Sequence, residues 1–467
     1  MKQTLLFSLM LAMATGAVAK DVTGKVYCND KGLANVVVTD GTNFTTTDKN
    51  GVYKFNANDD ADFIYIVTPS GYVASYSSGT PCFYKTPNAK SLDFELYEFS
   101  VPQGRYTLFA IGDTQPGNDH CYERMEKEAF PDLKKYGKKY IKNGTPVAGI
   151  LLGDMVWDNL DTYGRYKNNL KELGYPVYPV IGNHDHEKMF CDDERSELTY
   201  KQNFGPNYYA FNMGKDYYIV LDNIDYKGNK TYDERLDDEQ LEWVKNYTRY
   251  IPKGSHVFVA MHAPAYTYSV DKKLEGADRL MDILKDYEVS ILSGHSHIHS
   301  NLKLRDNVRE HMVGSIGGAW WLWNSQYCMD GTPMGYQVFE SSPQGLQWHF
   351  KSLHRNADYQ MKVFNTGTVA GHADEVCVKV WNYDENWKVE WYEDGVKKGA
   401  MKQFSTLDPD YKGYVDSQYA QGKKKLTWRF PMQNPHFFSA RPSKDAKVVK
   451  IVVTDRFGNQ YTEECKL

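Results

Sequence analysis

The sequence predicts an α/β protein with an all-β domain at each end, and three observations predict it. Across residues 104–355, apolar runs alternate with charged segments whose apolar residues recur at helical spacing. On either side of this stretch the helical spacing disappears, and short β-type runs are separated by turn signals. At 467 residues the chain also exceeds what one core usually organises, so two or three domains are expected.

Taken in order, residues 1–19 place Lys2 before an apolar stretch from Leu5 to Val18 and end in the small-x-small triplet Ala17-Val18-Ala19. That pattern predicts a cleaved secretory signal and a periplasmic or secreted protein, the alternative being an uncleaved membrane anchor, for which the stretch is short. No cysteine lies near the cleavage point to carry a lipid, and no later segment is apolar and long enough to span a bilayer. Residues 20–100 read GKVYC, NVVVTDG, TTTDKNGVYKF and FIYIVTP, with turns at Asp40-Gly41 and Asn50-Gly51, which predicts a small β-sandwich. In the middle stretch ERMEKEAFPDLKKYGKKYIKN and DDEQLEWVKNYTRYI read as helices, the second with Asp237 placed to cap it. Residues 356–467 return to strands in EVCVKVWNY, WKVEWYEDGVKKG, KLTWRF and KVVKIVVTDRFGNQYTEE, with Asp394-Gly395 as a hairpin turn, and predict a second sandwich of immunoglobulin-like character.

A formal net charge of −5 argues against nucleic acid or an anionic membrane surface as the main partner. An anionic substrate would have to be held by something local, such as metal ions. The 7 cysteines are widely spaced with no CxxC, so they indicate neither a thiolate metal site nor a dense disulfide scaffold. The 36 tyrosines and 10 tryptophans favour sheet-rich structure and aromatic-lined sites.

Five apolar runs of the middle stretch end in the same chemistry. YTLFAIGDTQ ends in Asp113 and Gln115, AGILLGDMVWDN in Asp154, YPVYPVIGNHDH in Asn183 and His184, SHVFVAMHAP in His262, and VSILSGHSHIH in His295 and His297. A buried α/β sheet binds ligands beyond the carboxyl ends of its strands, so these carboxylate, amide and imidazole groups could meet there. Such donors suit Mn, Fe or Zn, and one carboxylate can bridge two ions about 3.5 to 4 Å apart. Singly, each stretch could be an ordinary turn. All five in this order, each behind an apolar run, argue against that reading.

With GDTQ, GDMVWD, GNHD, MHAP and GHSH on the page, the middle domain resembles the calcineurin-like dinuclear metallophosphoesterases, whose pattern is DxH, GDxxD, GNHD or GNHE, a later H, and GHxH. The resemblance implies a central metallophosphoesterase β-sandwich flanked by helices. The first β domain resembles the carboxypeptidase regulatory-like, prealbumin-type domains, and the three-domain order resembles an exported bacterial subgroup. The resemblance also implies roles: Asp113, Gln115 and His297 on one metal, Asn183, His262 and His295 on the other, Asp154 between them. His184 would face the phosphate, oriented by Asp185. Gln115 departs from the family, which mostly carries histidine there; an amide oxygen can coordinate but cannot carry a proton near neutral pH. His186 and His299 are expected to be structural or solvated rather than to deliver a proton.

The implied chemistry is hydrolysis of a phosphate mono- or diester by a metal-bridged hydroxide, with His184 assisting the leaving group. The substrate would be a phosphorylated small molecule or glycan. Specificity is expected in GSIGGAWWLWNSQYCMDGTPMGY, where Gly317 and Gly318 allow close approach, Trp320, Trp321 and Trp323 offer stacking faces or else form a tryptophan-rich core or interdomain seam, and Asp330 lies on a loop near the cleft. The alternative is a glycan-binding or scaffolding protein with a vestigial phosphoesterase fold.

Overall fold

The computed structural model describes residues 20–266, 273–425 and 431–467. The predicted signal segment, 1–19, lies outside the described residues, as does most of the strand expected at KLTWRF. No helix among the described residues is long and apolar enough to cross a membrane.

Among the described residues, eleven strands make the two main sheets of the central domain: β1 (Tyr106–Ile111), β2 (Val147–Leu151), β3 (Val177–Pro179), β4 (Tyr209–Met213), β5 (Asp216–Val220), β6 (His256–Ala260), β7 (Glu288–Ser293), β8 (Ser300–Arg305), β9 (Val308–Met312), β10 (Gly335–Ser342) and β11 (Gly345–Ser352). They form two sheets, ordered β3-β2-β1-β10-β11 and β4-β5-β6-β7-β9-β8. β1, β2 and β3 run parallel in the first sheet, as do β5, β6, β7 and β9 in the second. Parallel strands buried on both faces need continuous apolar runs, and β1 and β2 are buried at every residue.

Alternation along β1 explains the layering. Tyr106, Leu108 and Ala110 join the core shared with the second sheet, while Phe109 and Ile111 join a separate core beneath helices that include Phe130 and Tyr166. Between the sheets, Tyr178 stacks on Phe211 at 3.6 Å, and Phe211, Tyr218 and Phe258 continue the stack at 4.5 and 4.7 Å. Burying each such ring contributes roughly 1.5 to 3 kcal/mol. The helix expected over ERMEKEAFPDLKKYGKKYIKN forms as Asp119–Arg124 and Phe130–Lys142 around a five-residue π-helical turn, and Asp237 caps Asp238–Tyr247 by accepting from the Gln240 N–H.

The N-terminal domain packs a five-stranded against a four-stranded sheet. It shares its core with the second central sheet, through Phe83 against Tyr209 at 4.6 Å, and with the helix Asp238–Tyr247, through Phe44 against Trp243 at 5.8 Å. Its Thr68 also bridges to Phe211 of β4, and the Asn212 N–H donates to Thr68 O at 2.9 Å. The C-terminal domain is a sandwich of two four-stranded sheets with a core of its own. It carries one element the sequence pattern does not announce, the helix Pro409–Ala420, capped by the Asp408 carboxylate. Only Tyr411 and Val415 of this helix are buried, so it has no apolar stripe to read.

Candidate metal centre

Each turn bearing a candidate donor follows a parallel strand: β1 delivers Asp113 and Gln115, β2 Asp154, β3 Asn183, β6 His262, and β7 His295 and His297. The structure brings all seven into one network. The Asp113 carboxylate accepts from the His295 N–H at 3.0 and 3.1 Å and lies 3.5 Å from His297 Nε2. Gln115 Nε2 donates to Asp154 Oδ2 at 2.9 Å. Asp154 Oδ1 accepts from the His184 N–H at 2.9 Å and is 3.3 Å from His262 Nε2. That same nitrogen is 3.0 Å from Asn183 Oδ1 and 3.1 Å from His295 Nδ1.

These residues fit a pair of metal ions, on three observations. The first concerns lone pairs. A carbonyl can only accept, so His262 Nδ1–H donates to Leu152 O at 2.7 Å and His297 Nδ1–H to Gly318 O at 3.0 Å, which turns each Nε2 inward as an electron pair. His262 Nε2 then faces two oxygens and another imidazole nitrogen. With protons alone the cluster answers this by charging the histidine: burial opposes the charge, yet Asp154 carries the His262 pKa up to about 10. The second is Gln115 Oε1, buried without a hydrogen-bond partner in the middle of the site. The third is that Asp154, His262 and His295 each offer a donor atom within 4.8 Å of the other two.

The backbone is strained where the donors sit. Asp113, Gln115, Asp154, His295 and His297 have φ of 39°, 41°, 52°, 64° and 51°, a left-handed region that costs such residues of order 1 kcal/mol each. The glycines of GD and GN serve close approach: a Cβ on Gly153 would lie 2.3 Å from His262 Nδ1, and one on Gly182 would lie 2.3 Å from Asp154 N.

Around this core the structure corrects three expectations. Asp185 does not orient His184. It turns inward, buried, and accepts from the N–H groups of Met155 and Gly182 and from Tyr163 OH, bracing the two ligand loops against each other. The His184 ring pairs instead with Asp158, Nδ1 to Oδ1 at 2.5 Å, and Lys188 also contacts that carboxylate. Trp321 is no stacking face: it is 1% exposed, its Nε1–H donates to Thr114 O at 2.7 Å, and the Arg124 guanidinium lies over its ring. Asp330 is buried away from the cleft, accepting from Thr332 and from Asn434 Nδ2 of the C-terminal domain.

Trp320, in contrast, stacks on His297 at 4.3 Å and meets Trp157 edge-on at 6.1 Å, and Trp157 is 5.1 Å from the His184 ring. Trp323 turns away to the C-terminal helix, 5.8 Å from Tyr419. His299 is structural, its Nε2 3.1 Å from Asn382 Oδ1. Sequence reasoning missed Asp158, Trp157 and Glu234, whose carboxylate is 3.2 Å from His295 Nε2. Asp158 and Trp157 stand in GDMVWDN beside Asp154, where a second acid after a metal-site acid was the available signal. Nothing local marks Glu234.

Fold and donor set together define a dinuclear metal-dependent phosphoric ester hydrolase. Three family models match in register with the domains: "N terminal of Calcineurin-like phosphoesterase" over residues 20–103, "Calcineurin-like phosphoesterase" over 106–299, and "C terminal of Calcineurin-like phosphoesterase" over 310–461. The chain belongs to the calcineurin-like phosphoesterases, a family that works with two metal ions. Among solved structures it is similar to a dimetal phosphatase from Danio rerio (12% identity, 53% of this chain and 96% of that chain, TM-score 0.38) and to purple acid phosphatase PPD1 from yellow lupin seeds (12%, 73% and 71%, 0.40). It is also similar to a 5'-nucleotidase from Candida albicans (12%, 54% and 52%, 0.34). No curated protein matches it.

Proposed function

We propose that this protein is an exported phosphatase or phosphodiesterase acting on a phosphorylated small molecule or glycan, with Asp113, Gln115 and His297 on one ion, Asn183, His262 and His295 on the other, and Asp154 between them. The observation that carries the site is the network of seven donors in which His262 Nε2 faces two oxygens and an imidazole nitrogen and Gln115 Oε1 has no hydrogen-bond partner. When bound, the ions, Mn, Fe or Zn, neutralise phosphate charge and lower the pKa of water for attack on phosphorus.

The chain's own residues do the rest. Asp158 accepts at His184 Nδ1, and the ring's pKa is raised: burial opposes the charge, but Asp154 and Asp158 prevail. His184 therefore keeps a proton at Nε2 to give to a phosphoryl or leaving-group oxygen. Trp157 and Trp320 wall one side of the site and offer a flat or sugar-like leaving group an apolar face. Export rests on the apolar stretch and small-residue triplet of residues 1–19.

The test compares turnover of an aryl phosphate monoester, the matching diester and a panel of sugar phosphates with Mn, Zn or Fe supplied. Asp154→Ala should lose turnover and bound metal together; His184→Ala should keep the metal and lose roughly 100-fold or more in kcat. Full activity in Asp154→Ala would refute the site.

A further inference from the structure

His186 closes the GNHDH stretch, yet the metal centre does not use it. Its ring is 1% exposed and stacks on Tyr226 at 5.1 Å and 14°. Nδ1–H donates to Gly182 O at 2.9 Å, which leaves Nε2 with a lone pair, and Nε2 has no hydrogen-bond partner. A buried acceptor left without a donor demands a reason.

Nε2 is aimed at two buried carboxylates. Donor atoms of His186, Glu197 and Asp222 all lie within 4.8 Å of one another, so that a small inward shift of the side chains brings them to one ion at bonds of about 2.0 to 2.2 Å. Asp193 Oδ1 is 3.7 Å from the same nitrogen. Nearby positive charge is scant: Lys201 Nζ is 3.0 Å from Glu197 but shared with Asp62 at 3.1 Å. Asn207 Nδ2 donates to both oxygens of Glu197 and to Asp222 Oδ2, holding the two carboxylates side by side. Burial and the facing Glu197 push Asp222 well above the ordinary carboxylate range and Asp193 up to about 7.

We infer that His186 Nε2, Glu197 and Asp222 form a further cation site, distinct from the dinuclear centre, for a divalent transition ion such as Zn2+ or Mn2+. One imidazole with two carboxylates suits those ions, whereas Ca2+ and Mg2+ take oxygen shells. A ligand imidazole characteristically donates its other N–H to a backbone carbonyl, as His186 does to Gly182. Asp193 or water would complete the shell. The ion's approach is a cavity of about 610 Å³ between the N-terminal sandwich and the central domain, walled by acids from both, among them Asp40, Asp62, Asp225 and Asp237, with Lys201 and Arg235 its basic residues. Binding would release protons held by the carboxyl pair and pin the loop of Asn183 and His184 to the interdomain seam.

The experiment strips the full chain, Asp222→Asn and Asp154→Ala with chelator, reloads each with Zn2+ or Mn2+, and counts bound metal by mass spectrometry. Wild type should bind one equivalent beyond the catalytic pair, with a rise in Tm as it fills. Asp222→Asn should lose that equivalent alone, and Asp154→Ala should lose the pair and keep it, so the two sites fail independently. Should Asp222→Asn not fold, anomalous diffraction at the Zn edge from wild-type crystals decides, with a peak expected beside His186 Nε2. Wild-type stoichiometry that stops at the pair, or no peak there, would overturn the site and leave a carboxyl pair sharing a proton.

Discussion

The ligand turns and the loop of residues 317–332 lie side by side but are held by different means. The turns carrying Asp113, Asp154, Asn183, His262 and His295 bond to one another and to the strand ends that deliver them. The loop is tied to the central domain at Gly318 and Trp321 and is gripped as well from the C-terminal domain. Asn434 Nδ2 donates to Asp330 Oδ2 at 2.6 Å, Lys379 reaches Asp330 O, the Met432 N–H donates to Met329 O at 2.8 Å, Tyr414 OH donates to Trp323 O, and Tyr411 and Val415 pack on Ala319. The difference teaches that the proposed metal site is held within the central fold, whereas the loop carrying Trp320 is held by two domains at once.

The hardest blow to this distinction would come from Lys379→Met. Lys379 is fully buried beside Asp408, and removing it leaves an unpaired carboxylate at a cost of about 3 to 5 kcal/mol. The denaturation midpoint should fall accordingly while the native protein keeps its full metal content; metal lost from the native variant would erase the contrast. Asp158→Asn should come next, lowering kcat by about 10- to 100-fold. Because Asp158 helps raise the His184 pKa and the protonated ring is the active form, activity falls as pH rises through that pKa. The variant's alkaline limb should therefore move to lower pH, read from a kcat/KM profile. Trp320→Ala should have the smallest effect, raising KM by about fivefold, near 1 kcal/mol, with metal content unchanged. A collapse of kcat instead would place Trp320 with the ligand turns.

What the sequence made legible follows the same division. Seven donors could be named because each is a chemically distinctive side chain set behind an apolar run, and strand ends of a parallel sheet converge by rule. Relations across space were another matter. His184 and Asp185 are neighbours in the chain, but the 3-10 turn over Asn183–Asp185 sends one ring to Asp158 and buries the other side chain. Trp320 and Trp321 both adopt left-handed φ, 54° and 58°, and consecutive residues there diverge, so a run of tryptophans does not say which one faces the site. Asp330 was rightly placed on a turn, yet its partner Asn434 lies 104 residues away, beyond any local pattern.

The bridge from Thr68 to β4 bears on how this protein can be handled. β4 ends its sheet, and the N-terminal domain supplies the strand-like neighbour that such a margin otherwise seeks from another molecule. A version trimmed to begin near residue 104 would bare that margin together with the aromatic face around Tyr209 and Trp243, and it should self-associate in solution even with its catalytic chemistry intact.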